Sequence, residues 1–243
     1  MASSLAPAAA SRGRLARFWA STVGKKIVMA LTGLIMAGFL VTHMAANLLA
    51  YLGPDGINSY SRFLHATPEL LWPARIVLLV SVLLHAISAY QLSRASGTAR
   101  PVGYAMRRSQ IATIASRTIR WLSVLVALFI VIHLLHFTTG TLLPGFADAN
   151  PYANLVNAFT SQRGMAVFYL VMMVVIGLHL YHGTWSAIRA LGLSRPKPNP
   201  FVRPFATILA IALWLGFSAV PVGVLLGVIG PERDVPTFIS KAR

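Results

Sequence analysis

The chain has 243 residues, of which 56 % are hydrophobic and only 11 % are charged. An average soluble domain carries about 25 % charged residues, so the composition excludes an ordinary soluble fold. In a soluble protein the net charge of +16 would suggest a nucleic-acid partner, but the mean hydropathy of +0.69 indicates a membrane protein and no nucleic-acid partner.

Five apolar segments are long enough to cross a membrane, which takes about 20 residues of helix for ~30 Å of hydrocarbon. They cover residues 26–50, 70–93, 119–142, 164–190 and 203–229. None alternates polar and apolar residues as a barrel wall does, so we expect an all-α integral membrane bundle of five transmembrane helices over 19–230. The first segment lacks a small-residue cleavage site and is predicted to be a retained span.

Basic residues predict the orientation of the bundle. Of the 21 Lys and Arg residues, about 15 fall on the side of the N-terminus and 6 on the opposite side. By the positive-inside rule the N-terminus lies inside and the C-terminus outside, in a multi-pass protein of the cell inner (plasma) membrane, with basic loops against lipid head groups. Residues 1–18 are expected to be a flexible cytoplasmic segment and 231–243 an outer tail. The outer connections 52–70 and 144–163 combine turn residues with stretches that predict short surface helices.

Histidines are the most informative residues of the apolar segments. Six of the seven lie there: His43, His85, His133, His136, His179 and His182. Ionisable groups at membrane depth are costly, and they usually face the bundle interior with a function. A helical rise of ~1.5 Å per residue puts His43 and His133 at ~24 to 27 Å from the inner surface. The same rise puts His85 and His179 at ~13 to 17 Å.

Two imidazoles at one depth suit a six-coordinate haem iron, which takes one axial ligand from each side. We therefore expect two haems b, an outer one on His43 and His133 and an inner one on His85 and His179. Carboxylates are missing from the interiors of the histidine-bearing segments, which favours haem over a non-haem metal centre. The chain has no cysteine, which excludes disulfides and Cys-ligated clusters. His136 lies one turn closer to the outer surface than His133 and suits a propionate, a quinone or water better than iron.

Four stretches carry a resemblance to a known family through the order and spacing of their histidines. They are STVGKKIVMALTGLIMAGFLVTHMAANLLAYLGPDGINSYSRFL (21–64), LLHAISAYQL (83–92), SRTIRWLSVLVALFIVIHLLHF (116–137) and FYLVMMVVIGLHLYHGTWSAI (168–188). The chain resembles the single-chain, five-helix, di-haem cytochrome b subunit of succinate dehydrogenases and fumarate reductases. The resemblance extends over nearly all of 19–230 and implies the same axial pairs, His43 with His133 and His85 with His179, with no ligand on the fifth helix.

The resemblance implies a division of labour among subunits. A flavoprotein subunit would oxidise succinate in the cytoplasm, an iron-sulfur subunit would carry the electrons, and this chain would deliver them to a membrane quinone, commonly menaquinone. No succinate site is expected on this chain. The basic inner loops 94–120 and 189–203 become the expected docking surface, and a higher oligomer of the complex is an arrangement that the sequence allows.

Further contacts to haem propionates or to quinone are expected at the helix ends. The candidates are His136, His182, Arg117, Arg120 and Ser21, with Thr22 and Lys25 beside Ser21, and with Arg75 and Arg163 on the outer side. Quinone reduction needs protons, and Glu69 at the outer start of the second helix is a candidate donor. An acidic residue there is also favoured by the helix dipole alone. Each ligand histidine needs a partner for its second ring nitrogen, expected to be a backbone carbonyl one turn earlier.

Three functions remain open from the sequence. The first is the anchor of a succinate dehydrogenase. The second is a di-haem anchor for fumarate reductase or another quinone-linked oxidoreductase, such as a hydrogenase or formate dehydrogenase. The third is a haem-free transporter or proton pathway that uses the histidines as relays. The family spacing favours the first.

Overall fold

The structure is a computed structural model that describes residues 13–98, 114–193 and 200–231. These ranges are helical and contain no strand. Their elements are α1 (Arg14–Ala20), α2 (Thr22–Leu48), a 3₁₀ turn (Leu49–Leu52), α3 (Pro54–Ala66), α4 (Pro68–Thr98), α5 (Ile114–Phe137), α6 (Pro151–Ser161), α7 (Arg163–Ala190) and α8 (Val202–Leu225). Most of the predicted N-terminal segment, the outer tail beyond 231 and the middle of both predicted docking loops lie outside the described residues.

The prediction of five helices that could span a membrane is confirmed. The segments long and apolar enough to cross a membrane are α2 with its 3₁₀ turn, α4, α5, α7 and α8. Two of them end earlier than expected, because a glycine in the left-handed conformation follows each. Gly140 (φ 69°) lies just beyond α5, and Gly227 (φ 73°) closes α8, where the Val228 N–H bonds the Gly223 carbonyl at 2.9 Å.

Two helices form the centre of the bundle. α2 and α7 pack against each other, α4 packs on α2, α5 packs on α7, and α8 covers both central helices. Among the described helices, neither α2 with α5 nor α4 with α7 forms an extensive backbone contact. These two pairs lie across the bundle, so the space between them is bridged by side chains.

The core is largest where α5, α6, α7 and α8 meet. Phe129, Phe159, Tyr169 and Val224 are buried there, and a smaller cluster around Leu213 joins α2, α7 and α8. Apolar side chains on the outer faces of the spanning helices are exposed, as a lipid solvent requires. Examples are Ile76, Leu128 and Ile208.

One end of the bundle, here called the capped end, carries the short helices α3 and α6 in the two connections where surface helices are predicted. Asn58 joins them: its amide nitrogen donates to Asn150 Oδ1 at 3.0 Å, and its Oδ1 accepts the Tyr152 N–H at 3.0 Å. Asn58 is only 8 % exposed. Its side chain therefore holds α3 against the start of α6.

Replacing Asn58 by alanine is expected to destabilise the protein by about 1–3 kcal/mol, because it leaves the buried Tyr152 N–H without an acceptor. Asn150 Oδ1 loses one of its two donors and keeps the Ala153 N–H. The measurement is the thermal unfolding temperature in detergent. Ser59→Ala is the matched control, since Ser59 is exposed and its hydroxyl accepts a hydrogen bond from the exposed Arg62 side chain, and its effect should stay within about 0.5 kcal/mol. Equal effects of the two substitutions would contradict this role of Asn58.

Candidate functional site

α2 and α5 bring His43 and His133 together from across the bundle, toward the capped end. The centroids of the two rings are 5.9 Å apart, and the ring planes meet at 82°. Phe39 stacks on His43 at 5.2 Å, and Phe129 stacks on His133 at 5.7 Å. Phe217 lies 5.7 Å from His43. The two imidazoles are therefore framed by aromatic rings, which limit the access of water.

α4 and α7 bring His85 and His179 together farther from the capped end. Their ring centroids are 6.3 Å apart, with an angle of 61° between planes. His85 Nδ1 lies 2.9 Å from the Met29 carbonyl oxygen, and because a carbonyl only accepts, Nδ1 donates to it. In neutral His85 the Nε2 lone pair is then free for a metal. The Nδ1 atom of His179 is buried without a partner.

The carbonyl that orients His85 belongs to α2, so the expectation of a partner one turn earlier in its own helix is wrong for this residue. The close approach of the two helices explains the difference. A Cβ atom at Gly33 would lie 3.1 Å from His85 Cε1, so glycine leaves room for the ring. His43 has a different neighbour, since the Asn47 amide donates to the His43 carbonyl at 2.7 Å and lies 3.4 Å from its Nε2.

The two pairs lie on two levels of the bundle. On α2, Gly33 faces His85 and precedes His43 by ten residues. On α7, Tyr169 contacts His133 and precedes His179 by ten residues. Ten residues of helix correspond to ~15 Å, so both central helices give the same separation between the levels.

Each pair has the spacing that one shared metal ion needs. Two imidazoles bonded to one ion at ~2 Å each have ring centroids roughly 6 Å apart, and each nitrogen donor must face the ion. The measured separations of 5.9 and 6.3 Å match this value. In the part of the chain that the structure describes, His, Asp and Glu side chains form no group of three or more that could hold a metal.

His136 differs from His133 in its surroundings. Its side chain is fully buried, its Nε2 lies 2.9 Å from Gln162 Oε1, and its Nδ1 lies 3.1 Å from the Tyr169 hydroxyl. Neither ring nitrogen is left for iron. His182 lies one turn beyond His179, and its Nδ1 is buried without a partner. Contacts of His136 and His182 with a propionate or a quinone stay predictions.

The two levels also locate the predicted residues at the helix ends. Counting ten residues back from His133 puts the level of His85 near residue 123 of α5, so Arg120 lies one turn beyond it and Arg117 two turns. Both arginines are exposed. The same count along α4 puts Arg75 at the level of His43, with its guanidinium 5.3 Å from the Trp72 ring.

Glu69 and Ser21 lie farther from the pairs. Glu69 is exposed in the first turn of α4, six residues or ~9 Å beyond Arg75 toward the capped end. Ser21 caps α2, where its hydroxyl accepts the Gly24 N–H at 2.9 Å and donates to the Phe18 carbonyl at 2.7 Å. Arg163 begins α7 and lines a small cavity with Phe159. Thr22 and Lys25 occupy the first turn of α2.

Sequence reasoning missed Tyr169 and Gln162, which contact the histidines of α5. A tyrosine inside an apolar segment is a signal for a hydrogen-bond partner at that depth, because its hydroxyl needs one when it is buried. The sequence does not show that α5 lies beside α7, and this packing determines which histidines the Tyr169 hydroxyl contacts.

A comparison with known proteins adds no identification: no family model, no curated protein and no solved structure matches the chain.

Proposed function

We propose that this chain is the di-haem cytochrome b membrane anchor of a succinate dehydrogenase. It would pass electrons from an iron-sulfur partner subunit to a membrane quinone, with menaquinone the preferred acceptor. The observation that carries the proposal is the meeting of two histidine pairs, with ring separations of 5.9 and 6.3 Å, on two levels ~15 Å apart. These are the same four histidines that the family resemblance assigns as haem ligands.

The residues of both pairs fit haem iron. His43 and His133 would hold the outer haem, and His85 and His179 the inner one. When bound, haem b supplies a one-electron redox centre. The chain would contribute the histidine nitrogens that hold each haem, and the Met29 carbonyl holds His85 in the tautomer whose Nε2 is free.

In this proposal the capped end faces outward and the N-terminus lies in the cytoplasm of a cell with the chain in its plasma membrane. The cytoplasmic end of the bundle presents cations for the partner subunits. The Trp185 ring there lies 5.1 Å from the guanidinium of Arg189 and 4.9 Å from that of Arg203. Glu69, exposed at the capped end, is the proposed proton donor for a quinone bound on the outer side.

The test is the haem content of the complex purified from its own membrane. We expect two haems b per chain in the reduced-minus-oxidised spectrum, and reduction of both by succinate. The flavoprotein and the iron-sulfur subunit should co-purify. His65→Ala is the control, because His65 lies on α3 outside the spanning helices, and it should keep both haems. Fewer than two haems in the wild-type complex would overturn the di-haem proposal. If the complex holds two haems but succinate does not reduce them, only the dehydrogenase assignment would have to be replaced.

Gly33→Val is expected to disturb the inner level alone. The added side chain would press on the His85 ring, whose Cε1 already lies 3.1 Å from the position of a Cβ atom. Haem content should fall from two per chain toward one, with the outer haem spectrum unchanged. Gly164→Val is the matched control, since a Cβ atom there meets nothing within 4 Å. Two intact haems in Gly33→Val would contradict the close approach of α2 to His85.

A further inference from the structure

A chain of hydrogen bonds runs from the start of α7 to the outer histidine pair. Its first member is Gln162, whose Nε2 donates to the Leu142 carbonyl at 3.0 Å. This bond fixes the amide, so Gln162 Oε1 faces His136 Nε2 at 2.9 Å. Because the amide oxygen only accepts, the proton of neutral His136 is on Nε2.

The next two members follow from that proton. His136 Nδ1 has no proton and must accept, so the Tyr169 hydroxyl, 3.1 Å away, donates to it. The lone pairs of the Tyr169 oxygen are then available to His133 Nδ1 at 3.4 Å. The proton of His133 is therefore on Nδ1, and its Nε2 is bare.

We propose that Tyr169 is a positioning residue for the outer haem: it fixes the tautomer and the ring plane of His133 so that Nε2 faces the iron. This inference rests on the proposed function. Tyr169 is buried, its ring centroid lies 6.1 Å from that of His133, and the Phe129 ring packs against both. Gln162 and His136 act through Tyr169 by setting the direction of its hydroxyl.

Different kinds of hydrogen-bond acceptor then orient the histidines of the two levels. The acceptor for the His85 N–H is a backbone carbonyl, that of Met29, whereas the acceptor for the His133 N–H is a side chain, that of Tyr169. An acceptor on the second nitrogen strengthens the imidazole as an electron donor and favours ferric iron. Only the outer acceptor can be removed by substitution.

The test is Tyr169→Phe in the assembled complex, with the midpoint potentials of both haems measured by redox titration. We expect the outer haem to become easier to reduce, with a more positive potential, while the inner haem keeps its wild-type value. The electron paramagnetic resonance signal of the ferric outer haem should also change. That signal reports the angle between the two imidazole planes, 82° in this structure.

Tyr152→Phe is the matched control. Tyr152 is also a buried tyrosine, but its hydroxyl donates to the Gly230 carbonyl at 2.9 Å and does not belong to the chain leading to His133. It should leave both potentials unchanged. Gln162→Leu, which removes the first acceptor, should shift the outer haem in the same direction by a smaller amount.

An outer haem with wild-type potential and resonance signal in Tyr169→Phe would overturn the inference, and so would an equal shift in Tyr152→Phe. If Tyr169→Phe fails to assemble, the shift or its absence in Gln162→Leu decides. Absence of the outer haem from the wild-type complex would instead overturn the proposed function, so the two failures are distinguishable.

Discussion

His133→Ala is expected to remove the proposed outer haem and leave the inner one, so that haem content falls from two per chain to one, whereas His136→Ala keeps both. His133 faces His43 at 5.9 Å, and the hydrogen-bond chain inferred above leaves its Nε2 unprotonated. Both nitrogens of His136 are occupied by Gln162 and Tyr169. The measurement is the haem content of each purified complex, together with the α-band of the reduced haems.

The His136 variant needs its own check for folding, because the substitution leaves Gln162 Oε1 without its donor and removes the acceptor of the Tyr169 hydroxyl. A cost of about 1–3 kcal/mol is expected, visible as a lower unfolding temperature. Retention of the outer haem in folded His136→Ala, combined with its loss in His133→Ala, agrees with the assignment. The opposite pattern would move the ligand one turn along α5.

His85→Ala is expected to remove the inner haem and to reduce succinate-driven quinone reduction to background. In the proposed orientation the inner level lies between the cytoplasmic subunits and the outer haem, so its loss interrupts the path of electrons. Succinate oxidation with a soluble dye acceptor should continue at the wild-type rate, because in the proposed complex the flavoprotein would not need this chain for that reaction. The measurement compares succinate-driven quinone reduction with dye-linked succinate oxidation in parallel assays.

His182→Ala is the matched comparison for the inner level. His182 lies one turn beyond His179, whose ring centroid lies 6.3 Å from that of His85. Replacing His182 should therefore leave both haems in place. Wild-type quinone reduction by a complex that lacks the inner haem would show that electrons reach quinone without passing the inner level. Loss of the inner haem in His182→Ala would move that ligand by one turn.

The positions of the spanning helices could be predicted closely, because each needs about 20 apolar residues and such runs are visible in the sequence. Helix ends were harder to predict. α5 ends at Phe137, five residues before the predicted end at 142. The residues that follow it, Thr138, Thr139 and Gly140, are turn residues. A prediction of the helix end from apolar content alone takes no account of the left-handed Gly140.

The grouping of four histidines into two pairs on two levels could also be predicted, since the level of a residue along a helix depends only on the helical rise. The groups that hold the rings could not, because they come from other helices. The Met29 carbonyl reaches His85 from α2, and the Tyr169 hydroxyl reaches His133 from α7. Which helices are neighbours, and how each is rotated, follows from packing that no local pattern encodes.

His136 shows the same limit in a single residue. Its place near the end of α5 correctly puts it close to one end of the bundle, but α6 and the start of α7 cover that end. The side chain is consequently fully buried.

Each histidine pair joins two helices from across the bundle, and this arrangement has a consequence for assembly. α2 and α5, like α4 and α7, make little direct contact, so each haem of the proposed function would act as a crosslink between helices that have few other contacts. A ligand that binds only the assembled bundle stabilises it in proportion to the logarithm of its free concentration. Haem supply would then determine how much of the newly inserted chain reaches its final form and how much is cleared from the membrane by proteolysis.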